Sequence, residues 1–243
     1  HIGHLYLTGV KLRDLIKAGV NCTFFMADWH SFVNNKLGGD WERIKLAAKY
    51  YQEVFSRFVG PELKFLLGSD LYHHNDEYWV KLVKVEKSVS LNRVKRCLTI
   101  MGRKESDRLD FSQLAYPPLQ VTDIFAQEVD LAHGGMDQRK AHVLAREVAQ
   151  KLGWKVPVAV HHHLLGGLAQ PVALGYDENR RLDMAISSKM SKSKPWTCIF
   201  IHDSPEAIRQ KMRRAWCPPK EAELNPVLEL VRYVIFEEKD SFR

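Results

Sequence analysis

Two short stretches of this chain combine residue types that hold phosphate. His1-Ile2-Gly3-His4 stands just ahead of a helical pattern, and Lys189-Met190-Ser191-Lys192-Ser193 lies in a polar loop far downstream. A glycine at a helix start lets a nucleotide approach the backbone, where unpaired N–H groups and the helix dipole favour anions. Imidazoles three residues apart project on the same side, and the loop lysines supply mobile positive charge. Such a site needs no covalent nucleophile, because attack on an α-phosphate is promoted by alignment and by stabilising charge on the phosphoryl oxygens. The implied chemistry is nucleotidyl transfer. Either stretch alone reads as chance or as a solvated surface; their joint occurrence, with an alternating strand and helix pattern between them, argues for one nucleotide site.

A third constellation is Tyr116, Gln120 and Asp123. The spacing i, i+4, i+7 puts all three on one face of a helix, so three polar groups can converge on one small ligand. Without the flanking motifs the same spacing would describe a polar surface stripe.

The elements that must position these groups follow from pattern. Leu5 to Ala18 has helical spacing with Gly19 as its stop, and Cys22 to Met26 is a short apolar, aromatic run suited to a buried strand. Trp41–Val59 reads as helix, Lys64–Leu67 as a second strand, and Tyr78–Ile100 as helix interrupted near Ser88–Ser90. Pro118 suits a first helical position, and the helix continues through Phe125. Val129–Ala132 is strand-like, Gly134-Gly135 is expected to turn the chain, Met136–Leu152 is helical with Gly153 as its stop, and Val156–Val160 is strand-like. Residues 166–188 read as loop and Thr197–Ile201 as a strand. Ser204-Pro205-Glu206 opens a basic helix, and Leu224–Phe236 is the last apolar helix. Alternating strands and helices predict an α/β fold: a Rossmann-like parallel sheet with crossover helices, an inserted helical region and the start of a helical C-terminal domain.

Composition narrows the class. With 36 Lys+Arg against 29 Asp+Glu and 45% hydrophobic residues, a packed core can form, and disordered or low-complexity chains are excluded. A net charge of +7 fits a polyanionic partner. No apolar run approaches the roughly 18 residues of a membrane span, and the opening residues are no signal peptide. Cys22, Cys97, Cys198 and Cys217 lack CxxC spacing, which argues against a zinc ribbon or a secreted disulfide framework and for a reducing cytoplasm.

With both signatures present, the sequence resembles the class I aminoacyl-tRNA synthetases. Tyr116-Pro-Pro-Leu-Gln-Val-Thr-Asp123, followed by Gly134-Gly-Met-Asp-Gln-Arg-Lys140, is similar to the tyrosyl enzymes of the archaeal and eukaryotic branch. Ala27-Asp28-Trp29-His30, Gly68-Ser69-Asp70 and Asn225-Pro226 extend the likeness over nearly the whole chain. The resemblance implies that Tyr116, Gln120 and Gln138 hold the amino end of L-tyrosine and that Asp123 binds its phenol. Phe25, Ala27, His30, Leu71 and Tyr72 match positions lining that pocket. It further implies that His1, Gly3 and His4 with Lys189, Met190, Ser191, Lys192 and Ser193 bind ATP, accompanied by Mg2+, and that His1, His4, Lys189 and Lys192 act in the adenylation step. Arg139 and Lys140 match contacts to the acceptor stem of tRNA(Tyr), and a solvated helix face is the alternative for both. A phenol acceptor at Asp123 would be left unpaired by phenylalanine, which costs more than a missing methylene.

The family also implies a homodimer without membrane attachment, a catalytic domain over 1–203 with its specificity and dimerisation region over 78–152, and an anticodon-binding domain beginning in 204–243. A strand and glycine turn before His1 are expected from the family and absent from the sequence, so the chain reads as a piece of a longer protein. The alternatives are a tryptophanyl-tRNA synthetase, a small-molecule nucleotidyltransferase and a non-catalytic tRNA-binding module. His161-His162-His163 is not read as a metal site, since adjacent residues point in different directions and no further ligand stands at suitable spacing; no tightly bound structural metal is expected. Arg209, Lys211, Arg213 and Arg214 read equally as a phosphate-binding and as a solvated face.

Overall fold

The computed structural model describes residues 1–104, 106–237, 239 and 241. Glu238, Asp240, Phe242 and Arg243, at the end of the expected C-terminal segment, lie outside the described residues. The chain forms two compact units, one of Leu12–His161 and one of His1–Lys11 with His162–Arg243.

In the larger unit, β1 (Thr23–Met26) pairs in parallel with β2 (Lys64–Leu67), Phe25 opposite Leu66 and Met26 opposite Leu67. Between them run α2 (Asp28–Val33) and α3 (Trp41–Val59). Asp40 caps α3 by accepting the Arg43 N–H, and buried Phe55 packs on Phe24 of β1 with ring centroids 4.3 Å apart. After β2 come α4 (Gly68–Tyr72), α5 (Asp76–Ser88) and α6 (Leu91–Cys97), then α7 (Phe111–Leu114) and α8 (Tyr116–Ala126). β3 (Leu131–Gly135), α9 (Arg139–Leu152) and β4 (Val158–His162) close the unit, β3 and β4 forming a second two-stranded sheet. The result is the expected Rossmann-like alternation. Its core is a continuous cluster from α5, α6, α8, β3 and α9: Val85, Cys97, Val121, Ala132, Leu144 and Val148 are all buried. Burial of each valine or leucine side chain among them contributes about 1.5–3 kcal/mol.

In the smaller unit, the start of α1 (Ile2–Lys17) supplies Leu7 to a cluster with Leu165, Leu168, Met190, Cys198, Ile199 and Leu230. α10 (Arg180–Ser188) belongs to the same unit; α11 (Pro205–Arg213) packs Ile208 and Met212 against the cluster, and α12 (Pro226–Leu230) supplies Leu230 and continues into the wider turns Val231–Ile235. The Ser204 hydroxyl accepts the Ala207 N–H and starts α11 where the sequence predicts.

Three elements differ from expectation. The predicted loop 166–188 contains α10, started by the Asn179 side chain accepting the Leu182 N–H and tied back by Asp183, whose carboxylate accepts the Gly175 and Tyr176 N–H groups. The predicted strand Thr197–Ile201 is a turn and an extended stretch, because its backbone partners are not strands. The Lys211 ammonium donates to the Cys198 carbonyl, Asp203 accepts the Phe200 N–H, and Ile199 accepts the Ile2 N–H. Gly134 and Gly135 end β3 instead of turning the chain; a Cβ on Gly134 would lie 3.3 Å from Gln138 and 3.4 Å from the His142 ring, so close packing explains the glycine.

Candidate functional site

In the larger unit, α2 and α4 start directly after the carboxyl ends of β1 and β2, the place where α/β sheets hold ligands. Asp28 ties the two starts together: its Oδ1 accepts the Trp29 and Ser69 N–H groups at 2.9 and 3.0 Å, and its Oδ2 accepts the Ser69 hydroxyl at 2.5 Å. Gly68 is required here, since a Cβ would stand 2.7 Å from Asp28 Oδ1. Ala27 is the one residue between β1 and α2, and its carbonyl accepts the Ser31 N–H. This staple carries His30 on α2 and Leu71 and Tyr72 on α4 toward α8.

Asp123 of α8 is 3% exposed. Its Oδ1 accepts the hydroxyls of Tyr72 and Tyr78, each at 2.8 Å. Oδ2 has no hydrogen-bond partner among the described residues, and neither does either ring nitrogen of buried His30. His30 Nε2 lies 3.5 Å from Asp123 Oδ2, within ion-pair range by distance. We read it as a neutral contact, because burial pulls the His30 pKa down to about 4. Burial pushes the Asp123 carboxyl up to about 7, while the Tyr72 and Tyr78 hydroxyls pull it back. Both phenols are raised, by burial and then by the Asp123 charge, so they remain donors at neutral pH.

One turn back on α8, the Gln120 Nε2 donates to Gln138 Oε1 at 3.1 Å, and Gln138 Nε2 donates to the Ile100 carbonyl at 3.1 Å. That chain fixes both amides and leaves Gln120 Oε1 buried without a partner. The Tyr116 ring stands edge-on to His30 with centroids 4.6 Å apart, and burial raises its phenol pKa. Phe25 and Leu71 pack against the buried cluster of Tyr72, Tyr78, Leu82 and Leu119. The structure thus brings Tyr116, Gln120, Asp123, Gln138, His30 and Tyr72 into one connected group, with Phe25 and Leu71 against it.

Unpaired buried polar atoms cost roughly 1–3 kcal/mol each. Two unpaired acceptors on one helix face, and an unpaired imidazole beside Tyr116 and Asp123, suit a small ligand with a hydroxyl at one end and an ammonium near the other. Tyr78 and Asp28 carry no role in the sequence reading. Tyr78, Leu82 and Val85 are all buried and follow helical spacing, a stripe that signals an inward face without revealing the carboxylate it meets.

In the smaller unit, His1, Gly3 and His4 open α1; the His4 N–H donates to His1 Nδ1 at 3.2 Å. A Cβ on Gly3 would stand 3.2 Å from Leu165, so this glycine also serves close packing. The Met190 N–H donates to the Leu165 carbonyl at 2.8 Å, and buried Met190 joins Leu7 and Leu165 in the core. Leu165 therefore touches both signature stretches. Ser191 and Ser193 share a hydrogen bond at 2.9 Å, Lys192 is exposed and Lys189 half-buried.

Arg139 is exposed and Lys140 half-buried in the first turn of α9, directly after Gln138. The His142 and His161 rings meet at 2.9 Å between Nδ1 and Nε2, and burial pulls His142 down to about 4. Among the described residues no three His, Cys, Asp or Glu side chains form a metal-holding group. Nor is any helix there long and apolar enough to cross a membrane. Lys211 leaves the basic face of α11: it is buried, and its ammonium lies 2.6 Å from Asp203 Oδ2.

Known proteins resemble this chain in sequence and in fold. A family model for class I tRNA synthetases (W and Y) matches residues 1–241. A tyrosine–tRNA ligase of Thermococcus gammatolerans is 46% identical over 258 residues, covering 99% of this chain and 68% of that protein. The crystal structure of Pyrococcus horikoshii tyrosyl-tRNA synthetase complexed with L-tyrosine is similar with a TM-score of 0.88 and 45% identity, over 99% of this chain and 69% of that one. The Aeropyrum pernix tyrosyl-tRNA synthetase structure gives a TM-score of 0.84 and 43% identity, over 100% and 67%.

Proposed function

The chain belongs to the class I tRNA synthetases of the tryptophan and tyrosine group, and from that membership and the geometry of the Asp123 group we propose that it is a tyrosine–tRNA ligase. It activates L-tyrosine with ATP: a tyrosine carboxylate oxygen attacks the α-phosphorus, pyrophosphate leaves, and tyrosyl-adenylate forms. The tyrosyl group then passes to the terminal ribose of tRNA(Tyr), releasing AMP.

The observation that carries the reading is the unpaired Asp123 Oδ2, buried beside neutral His30 while Tyr72 and Tyr78 occupy the other oxygen. A ligand phenol donates its proton to Oδ2 and can accept from a His30 N–H. Gln120 Oε1, held by Gln138, accepts from the ammonium with Tyr116 alongside, and Phe25, Ala27, Leu71 and the Tyr72 ring bound the aromatic part. Phenylalanine would leave Oδ2 unpaired.

Toward ATP, the N–H groups at the start of α1 with His1, Gly3 and His4 hold phosphate, and the Lys189 and Lys192 ammoniums stabilise the charge that builds as pyrophosphate leaves. Ser191, Ser193 and the buried Met190 seat that loop. Mg2+ would accompany ATP and offset part of the triphosphate's charge. Arg139 and Lys140 meet the acceptor stem from the first turn of α9, where such side chains read guanine edges. By role, residues 1–203 form the catalytic domain, 78–152 its specificity and dimerisation region, and 204–243 the start of the anticodon-binding domain. The protein works as a cytoplasmic homodimer.

Amino-acid-dependent ATP–pyrophosphate exchange followed by tRNA charging tests the reading. Exchange with tyrosine and charging of tRNA(Tyr) are expected. Exchange with tryptophan alone would move the chain to the sister enzyme, and tRNA binding without exchange would make it a non-catalytic module.

A further inference from the structure

We propose that Glu229, on the C-terminal helix α12, is a positioning residue for the adenylation step: its carboxylate fixes the segment on which the Lys189–Ser193 loop is seated. The inference rests on reading that loop as ATP-handling.

The segment Leu165–Gly167 is laced to Ser188–Met190. The Met190 N–H donates to the Leu165 carbonyl, the Gly167 N–H donates to the Ser188 carbonyl, both at 2.8 Å, and Gly166 bridges Lys189 in antiparallel sense. In such a pairing the residue between the two bonds turns its own N–H away from the partner strand. The Gly166 N–H accordingly donates to Glu229 Oε2 at 2.8 Å. Glu229 is 9% exposed, so the bond is shielded from water. A Cβ on Gly166 would lie 3.1 Å from Oε2, which accounts for glycine at this position.

Glu229 is itself held. Asn225, 1% exposed, caps α12 by accepting the Val227 and Leu228 N–H groups, and its amide donates to the Glu221 carbonyl at 2.9 Å. Glu229 Oε1 stands 3.3 Å from His163 Nε2, outside hydrogen-bond geometry, and the His163 ring stacks on Tyr233 at 4.2 Å. One carboxylate from the end of the chain thus sets Gly166, the bridge partner of Lys189. Gly166 adjoins Leu165, on which Gly3 and Met190 both rest. Phosphate-handling groups lose much of their rate advantage when displaced by even 1 Å, so a fixed seat for an exposed loop acts on chemistry more than on folding.

The test compares Glu229→Ala with Glu229→Gln in the full chain, reading the exchange kcat, ATP affinity by calorimetry, tyrosine affinity and the melting temperature. Glutamine keeps an acceptor oxygen for the Gly166 N–H; alanine does not. Expected is a loss of tenfold or more in kcat or ATP affinity for Glu229→Ala, near-normal values for Glu229→Gln, and unchanged tyrosine affinity in both. Gly166→Ala, which crowds the same oxygen from the other side, should reproduce the alanine profile with α12 intact, and it stands in if Glu229→Ala does not fold. Unchanged kcat and ATP affinity in Glu229→Ala, a glutamine variant as impaired as alanine, or a parallel fall of tyrosine affinity and melting temperature would overturn the role. If the unaltered protein shows no tyrosine-dependent exchange, the ligase reading fails, and ATP affinity alone then decides for or against Glu229.

Discussion

The two halves of the chemistry are built in opposite ways. In the larger unit the Asp123 group is buried, and its side chains are fixed by one another: two phenols on one carboxylate oxygen, one amide on the next. In the smaller unit the loop carries the exposed Lys192, and what is fixed is its seat, the backbone ladder to Leu165 and Gly167. Recognition of a neutral hydroxyl needs desolvated atoms in set positions, because only there does a missing partner cost kilocalories. Charge that develops on a leaving pyrophosphate can be met by mobile ammonium groups, whose field in open water is strong at contact and screened within about 10 Å at 0.1 M salt. Substitutions in the first region should therefore alter which amino acid is used, and those in the second how fast.

The largest break of that contrast is Asp123→Ala. A site built to bond a hydroxyl rejects the analogue lacking it by about 10⁴–10⁵, a scale set by measurements on tyrosyl-tRNA synthetases themselves, whereas a merely apolar pocket discriminates by about 10². The ratio of exchange kcat/KM for tyrosine over phenylalanine should fall by roughly 10²–10³; unchanged selectivity would remove the role given to Asp123. Next comes Lys192→Ala, for which single-turnover adenylate formation should slow about 10²-fold with tyrosine affinity kept. Equal loss of both would mean that the loop mainly supports the fold.

Smaller in effect is Tyr78→Phe, which removes one of the two donors on Asp123 Oδ1. The bond is made with or without ligand, so its roughly 1.5–3 kcal/mol appears mainly as lost stability, and tyrosine KM should rise by a smaller factor, through the reduced ionised fraction of Asp123. The phenols hold the carboxyl pKa down from where burial alone would put it, and the ionised form accepts the ligand phenol. Tyrosine binding should therefore strengthen through a pH near 7 in the unaltered protein and through a higher pH in Tyr78→Phe; a KM change without that displacement would reduce Tyr78 to packing.

The smallest concerns stability. Burial lowers the His142 pKa from 6.5 to about 4, so the folded state binds fewer protons than the unfolded one across that range. Stability is full above pH 6.5 and declines as pH falls toward 4, at up to about 1.4 kcal/mol per pH unit for this group. His142→Gln should flatten the fall in urea midpoint between pH 6.5 and 4.5; an unaltered slope would place the acid sensitivity elsewhere.

Much of the site was legible because it is local. Tyr116, Gln120 and Asp123 share a helix face, and the runs at Thr23–Met26 and Lys64–Leu67 are strands as the pattern predicts. What escaped is long-range. Tyr78 reaches Asp123 from 45 residues away, and Glu229 reaches Gly166 from 63. No periodicity marks such pairs. The run Thr197–Ile201 misleads for a related reason: short apolar stretches are buried in sheets and in turns alike, and here the backbone is satisfied by Lys211 and Asp203, which the pattern shows only as a basic helix and its cap. Helix α10 was hidden by Pro171 and the glycines preceding it, although Asn179 and Asp183 are ordinary helix-start residues.

The most direct measurement is a crystal structure of the protein with L-tyrosine bound. The phenol oxygen should lie within about 3 Å of Asp123 Oδ2, with Tyr72 and Tyr78 still on Oδ1 and the ligand nitrogen at Gln120 Oε1. A tyrosine seated elsewhere, or one whose ring oxygen meets apolar side chains while Oδ2 stays unpaired, would contradict the assignment.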